Sequence, residues 1–368
     1  MMKSYSNMFV IVSDLARIQE EYIEYPSHEN KMLAWQETYH SSLKQVLKDS
    51  EFDERSMDKA KNIESLLFSM YDMFHKHSSI STNKDDIKSR VDKIYNKHQV
   101  EQRTTQWYED MKIMLTASEF SKLFDSERTR GNLVVSKVNP EKRDSNKALL
   151  TSFMSPMDWG VRFEPIVKQY LENSWNCKIY DCGRLKHETQ KHLGASPDGI
   201  IITEESDKYG RLVEIKCPFS RKIGGQVPFD YWVQMQIQLE VTNLFECEYV
   251  EVEILSKTPK NMNPDLSGNS LQRGTVYLVE KDGECAYSYS EENRDTYLQN
   301  GYELLETIEY SIVKVHNVLV KRDTKWFEGT LEAQAKFWED VEKARNNSFV
   351  VAEPRFKKPK PCLIVEES

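Results

Sequence analysis

The stretch that decides the fold is SPDGIIITEESDKYGRLVEIKCPF, residues 196–219 of a 368-residue chain. An apolar run at Gly199–Ile202, a polar turn and a second run at Arg211–Cys217 predict the two arms of a strand pair. Side chains alternate faces along a strand, so Glu214 and Lys216 point one way while Val213 and Ile215 point into the core. If the arms pair, Asp198 at the start of the first comes near Glu214. Two neighbouring carboxylates repel unless cations lie between them. Magnesium, a hard ion that takes oxygen ligands together with substrate phosphate, is the natural occupant. Lys216 then has a use beside that phosphate, positioning or activating a water. The competing reading of Glu214 and Lys216 is a surface ion pair on an edge strand, contributing about 0–1 kcal/mol.

Outward from this stretch, the spacing predicts helices over Asp158–Asn173 and Phe229–Val241, and Val, Ile and Tyr content predicts strands at 246–255 and 274–280. This alternation is that of a mixed sheet flanked by helices. Residues 1–100 read as a helical N-terminal extension, with apolar steps of three and four such as Leu66, Leu67, Met70, Tyr71 and Phe74. Residues 101–345 form the main domain, whose last part, about Glu291 to Arg345, reads as a long helical cover broken near Asp323. Residues 346–368 read as a flexible tail, with Arg355, Lys357, Lys358 and Lys360 forming a basic cluster.

The composition, 39% hydrophobic and 30% charged with 13 Gly and 12 Pro, is that of a globular chain and excludes collagen-like or low-complexity character. No apolar run reaches the roughly 18 residues of a membrane helix. The apolar segment Met8–Val12 is too short for a signal-peptide core, so the expectation is an intracellular protein, in the cytoplasm or nucleus of a host cell and not secreted. The six cysteines, at 177, 182, 217, 247, 285 and 362, contain no C-x-x-C pair and read as free thiols. A net charge of -9 argues at first against a polyanionic partner, but residues 225–350 alone carry -10 while 101–224 carry +2. The basic positions Arg128, Arg130, Lys137, Lys142, Arg143 and Lys147 suit either a nucleic-acid channel or a solvated loop.

Three other segments stand in order around the first: Trp107 with Leu115, Thr116, Ala117 and Ser118; Trp159, Gly160, Val161, Arg162, Phe163 and Glu164; and Tyr231, Trp232, Val233, Gln234, Met235 and Gln236. Taken with SPDG and VEIKCPF, they make the chain resemble the YqaJ-type viral recombinases, the lambda exonuclease branch of the PD-(D/E)XK nuclease superfamily. The resemblance implies an α/β fold, a restriction-endonuclease-like core with a central mixed sheet between helices. It implies that Glu164, Asp198, Glu214 and the backbone carbonyl of Ile215 are metal ligands for two magnesium or manganese ions. Lys216 and Gln234 join the acids as catalytic residues, and Ser118 and Ser196 contact phosphate. By this reading only Gln234 of helix 229–241 follows the motif, Gln236 and Gln238 being ordinary helix-face amides, and Cys217 is a packing residue.

The implied activity is metal-dependent hydrolysis of DNA from the ends of linear duplexes, 5′ to 3′, in viral-type recombination, repair or replication. The implied partners are double-stranded DNA, a single-strand annealing protein and further copies of the chain in a homotrimer. One position departs from the pattern: relatives carry an arginine four residues after the first tryptophan, where this chain has Met111, leaving neighbouring Lys112 as the substitute phosphate contact. Two other readings stay open, a structure-specific endonuclease on the same core and a recombination-protein binding module with weak nuclease activity.

Overall fold

The computed structural model describes residues 84–101, 104–139 and 149–353. The expected helical extension therefore lies outside the described residues up to position 83, and the basic cluster of the tail lies outside them altogether. Helix α1 (Lys84–Asn96) turns Val91 and Ile94 inward, and α2 (Thr105–Ile113) starts at Thr104, whose side chain accepts from the Trp107 amide. Strand β1 (Leu115–Thr116), a 3-10 segment (Ala117–Phe124) and α3 (Glu127–Val138) follow. Helix α4 (Pro156–Trp175) opens on a capping box between Ser155 and Asp158 with Pro156 in its first turn. It buries Trp159, Arg162, Phe163, Ile166, Val167 and Leu171, a single stripe at helical spacing.

Short strands β2 (Ile179–Tyr180), β3 (Leu185–Lys186), β4 (Leu193–Ala195) and β5 (Gly199–Ile201) lead to β6 (Leu212–Lys216), α5 (Phe229–Thr242), β7 (Glu246–Ser256), β8 (Gln272–Lys281) and β9 (Glu284–Ser288). The chain continues through α6 (Glu291–Gln299), β10 (Glu303–Lys321), α7 (Thr324–Gly329) and α8 (Leu331–Arg345). Among the described residues, β1, β4 and β3 form a small sheet and seven strands form the main one, in the order β2-β5-β6-β7-β10-β8-β9. The β6–β7 pair is parallel and the other pairs of the main sheet are antiparallel, so the sheet is mixed as expected.

Alternation along the strands divides the interior in two. Leu212, Cys247 and Tyr249 pack with Val233 and Ile237 of α5 and with Phe337 and Val341 of α8. Val213, Ile215, Val250, Val252 and Ile254 pack on the other face with Trp159, Phe163 and Ile166 of α4. Gly199 is needed where β5 meets β2, because a Cβ there would overlap Ile179 Cγ2.

The helical cover expected from Glu291 to Arg345 is corrected by the structure. Its ends are helical, with Asp323 as the N-cap of α7, but its middle is the 19-residue strand β10. Thr307, Ile308, Ile312, Val313, Val315, Val318 and Val320 are β-branched, and Ile308, Tyr310 and Ile312 are buried at every second position. Pairing settles the matter: β10 runs antiparallel to β7 over Tyr310–Lys321 and to β8 over Glu303–Ile312, so its backbone donors and acceptors are met on neighbouring strands.

Candidate active site

The candidate site forms where β5 stops short of the end of β6. Only Gly199 and Ile200 pair with Val213 and Leu212, which leaves Glu214, Ile215 and Lys216 beyond the end of β5. Asp198 fills that gap: its Oδ2 accepts from the Ile215 amide at 2.7 Å. A strand residue directs its N–H and C=O to the same edge, so the Ile215 carbonyl opens toward Asp198 as well.

Glu214 lies on the α5 face of the sheet and is fully buried. Its Oε1 accepts from Lys216 Nζ and from Gln234 Nε2 at 2.7 Å, and its Oε2 accepts from Gln238 Nε2 at 2.6 Å. Lys216 Nζ also lies 3.4 Å from Gln234 Oε1 and 4.8 Å from the centre of the Tyr231 ring. Glu164 approaches from α4, on the opposite side of the sheet, and its charge acts on Asp198. It precedes Pro165, which cannot donate to the Val161 carbonyl, so the helix ladder lacks one bond at this turn. Tyr249 and Glu251 of β7 stand opposite Glu214 and Lys216, and Glu251 accepts from Tyr249 at 2.6 Å and from the Gly224 amide at 3.1 Å. This bond ties the loop after β6 to the sheet.

The residues expected to contact phosphate have other hydrogen-bond partners. Ser196 Oγ is 3.5 Å from the indole N–H of Trp107, while the guanidinium of Arg184 covers the Trp107 ring at 4.1 Å. Ser118 is exposed at the start of the 3-10 segment, 3.4 Å from Thr116 Oγ1. Lys112 pairs with Glu109 at 2.7 Å. Neither Ser118 nor Lys112 bonds a member of the carboxylate cluster. Of the basic positions read as a channel or loop, Lys137 is neither: it is buried and donates to Glu119 and to the carbonyls of Met111 and Met114. Arg130 pairs with Asp340 at 2.8 Å, and Lys142, Arg143 and Lys147 lie outside the described residues.

Residues 106–244 match the family model of the YqaJ-like viral recombinase domain. The centre of this chain is similar to that domain. Over 178 residues, 45% of this chain, it is 30% identical to an uncharacterized protein of Acanthamoeba polyphaga mimivirus, of whose length the match spans 32%. Among solved structures, an alkaline exonuclease from Laribacter hongkongensis is similar with 17% identity and a TM-score of 0.41, covering 66% of this chain and 95% of that one. A phage related exonuclease from Haemophilus somnus is similar with 10% identity and a TM-score of 0.38, covering 64% and 96%.

Every candidate site residue lies inside the matched segment 106–244, while β7 to β10 lie beyond it. Burial, then the charges of Glu214 and Glu164, push the Asp198 carboxyl well above its ordinary value. Burial alone pushes the Lys216 ammonium down, but Glu214 and Asp198 more than offset it and hold it above its ordinary value. Burial raises the Cys217 thiol, in keeping with a packing role. The donors gathered here are carboxylate and carbonyl oxygens, the set that hard divalent ions take. Among the described residues no three His, Cys, Asp or Glu side chains form a ready-made metal cage; the Glu214 oxygens are met by Lys216, Gln234 and Gln238.

Gln238 is the residue that the sequence reading set aside. It sits one turn beyond Gln234 on the same face of α5, so once the helix packs on β6 both amides reach one carboxylate. Gln236, by contrast, is structural: it donates to the Lys321 carbonyl and accepts from the Asp323 amide, tying α5 to the end of β10.

Proposed function

We propose that this chain is a metal-dependent deoxyribonuclease that hydrolyses phosphodiester bonds from the ends of linear duplex DNA, 5′ to 3′, in viral-type recombination, repair or replication. The observation that carries the reading is that Asp198, held by the Ile215 amide, feels the charges of both Glu214 and Glu164, with Lys216 paired to Glu214. Three acids crowded around one cation are unfavourable by themselves, and a divalent ion facing a phosphate relieves the repulsion. In this reading Glu164, Asp198, Glu214 and the Ile215 carbonyl hold magnesium or manganese. A bound ion supplies Lewis-acid polarisation of the phosphate and lowers the pKa of a coordinated water.

The chain's own residues do the rest. Asp198 and Glu214 are held in place, because each is anchored by backbone or amide donors. Lys216 places a positive charge where negative charge develops on the phosphate, and with Gln234 it orients the attacking water. Tyr231, stacked under the ammonium, restricts where Lys216 can swing. Ser196 and Ser118 are read as phosphate contacts, and Lys112 takes that role only by leaving Glu109.

The test is degradation of linear duplex DNA with 5′-phosphate or 5′-hydroxyl ends, beside covalently closed circles, in magnesium and in EDTA. We expect metal-dependent loss of linear DNA alone, abolished in Asp198→Ala and Lys216→Ala. Equal cutting of circles would replace the end-dependent reading with an endonuclease, and no cutting of any substrate would refute the nuclease.

A further inference from the structure

We propose that Gln238 is a positioning residue for the metal site, its amide setting the carboxylate plane of Glu214. The inference rests on the metal-dependent reading above and goes beyond it by assigning a role to a residue outside the motif. Gln234 and Gln238, four residues apart on α5, each donate to a different oxygen of Glu214, at 2.7 Å to Oε1 and 2.6 Å to Oε2. A carboxylate held at one oxygen can rotate about its last bond; held at both, it cannot. Gln234 is partly exposed, whereas Gln238 is 0% exposed and so withdrawn from the surface a substrate would reach.

A second observation singles Gln238 out. Its Oε1 is buried and, among the described residues, has no hydrogen-bond partner. Buried amides normally satisfy both ends, so a structure that leaves this acceptor unmet keeps the residue for its donor. The opposite amide orientation would set a carbonyl oxygen against the carboxylate oxygen of Glu214, so the donor orientation is the one the site permits. The helix around it is apolar, with Val233, Met235, Ile237, Leu239 and Val241 buried, and a methionine or leucine at 238 would pack there without any polar requirement.

The experiment is calorimetric titration of the full chain with Mn2+ in the absence of DNA, for wild type and Gln238→Met, a change that keeps volume and removes the donor. Thermal melts of both report folding, and the KM for linear duplex DNA is measured at saturating metal. Loss of an outer partner of a metal ligand typically weakens metal binding about 10- to 100-fold. We expect the Kd for Mn2+ to rise by about 10-fold in a Gln238→Met protein that still melts cooperatively, with the KM for DNA unchanged. A folded Gln238→Met that binds Mn2+ as wild type does would overturn the proposal while leaving the nuclease reading intact. Wild-type protein that neither binds Mn2+ nor cleaves DNA would overturn both. Should Gln238→Met not fold, Gln238→Asn, which keeps the amide but withdraws it by one methylene, is read in the same way. Failure of both to fold would assign Gln238 a structural role and overturn the positioning one.

Discussion

At the scale of single residues, the site is a balance of charges around Asp198. Burial and the neighbouring acids favour the protonated carboxyl, so near and below the raised value the folded chain binds more protons than the unfolded one. The stability of the metal-free protein therefore falls as pH rises through that value. Asp198→Asn removes the repulsion while its side-chain oxygen still accepts from the Ile215 amide. In EDTA at pH 8 we expect this variant to unfold at a higher temperature than wild type, by about 1 kcal/mol or more, with the difference vanishing near pH 4. A melt series across pH in EDTA checks this, and a variant less stable than wild type at pH 8 would refute it. The cluster was legible in the sequence because Asp198, Glu214 and Lys216 obey a two-residue alternation across a hairpin. Gln238 was not, because an amide on a helix face gains meaning only once a carboxylate is placed above it.

At the scale of elements, close packing beside the hairpin sets where Asp198 sits. Gly199 touches β2 without a side chain, and Gly199→Ala forces Ile179 aside. We expect a loss of about 1–3 kcal/mol in a denaturant titration, accompanied by weaker metal binding because Asp198 is the residue immediately before it. On the α4 side, Glu248 of β7 is 2% exposed and gathers Lys208, Arg211 and Asn317 at 2.7, 2.7 and 2.8 Å, joining the hairpin, β7 and β10. Burial alone would raise this acid, but these partners outweigh it and hold it below its usual 4.5. The folded state thus holds fewer protons than the unfolded one near that pH. The contribution is complete above pH 4.5 and is lost as pH falls through the depressed value. Glu248→Gln should cost about 3 kcal/mol at pH 7 and much less at pH 3. Equal costs at both would show that the charge is not what matters.

At the scale of the whole molecule, the YqaJ-like segment supplies only β2, β5 and β6 of the main sheet, and residues 246–321 supply the other four strands. Residues 246–321 therefore complete the fold rather than merely cover it. Val213 and Ile215 reach a filled interior only with Val250, Val252 and Ile254 across from them, and the parallel edge of β6 is satisfied only by β7. We expect residues 106–244 expressed alone to show no cooperative thermal transition, while 84–353 melts in one. Cooperative unfolding of the shorter piece, followed by circular dichroism, would contradict this. Helix α8 adds a second tie, with Phe337 in the interior and Asp340 on Arg130 of α3.

By itself the sequence determined the local pieces and their chemistry: the hairpin at 199–216, the two flanking helices, the acids and lysine they present, and the mixed α/β class. These follow from periodicity and cap chemistry, which act between residues close in the chain. Only tertiary structure decided three other points. Residues 303–321 are a strand because two partners far away in sequence satisfy its edges, which its β-branched content favours but cannot supply. Lys137 is buried, not on a basic surface, because Glu119 and two carbonyls meet it inside. Gln238 donates to Glu214 because α5 packs over the Glu214 side of β6, and which side chain a helix lays over which strand residue is settled by packing between elements, not by the spacing within either.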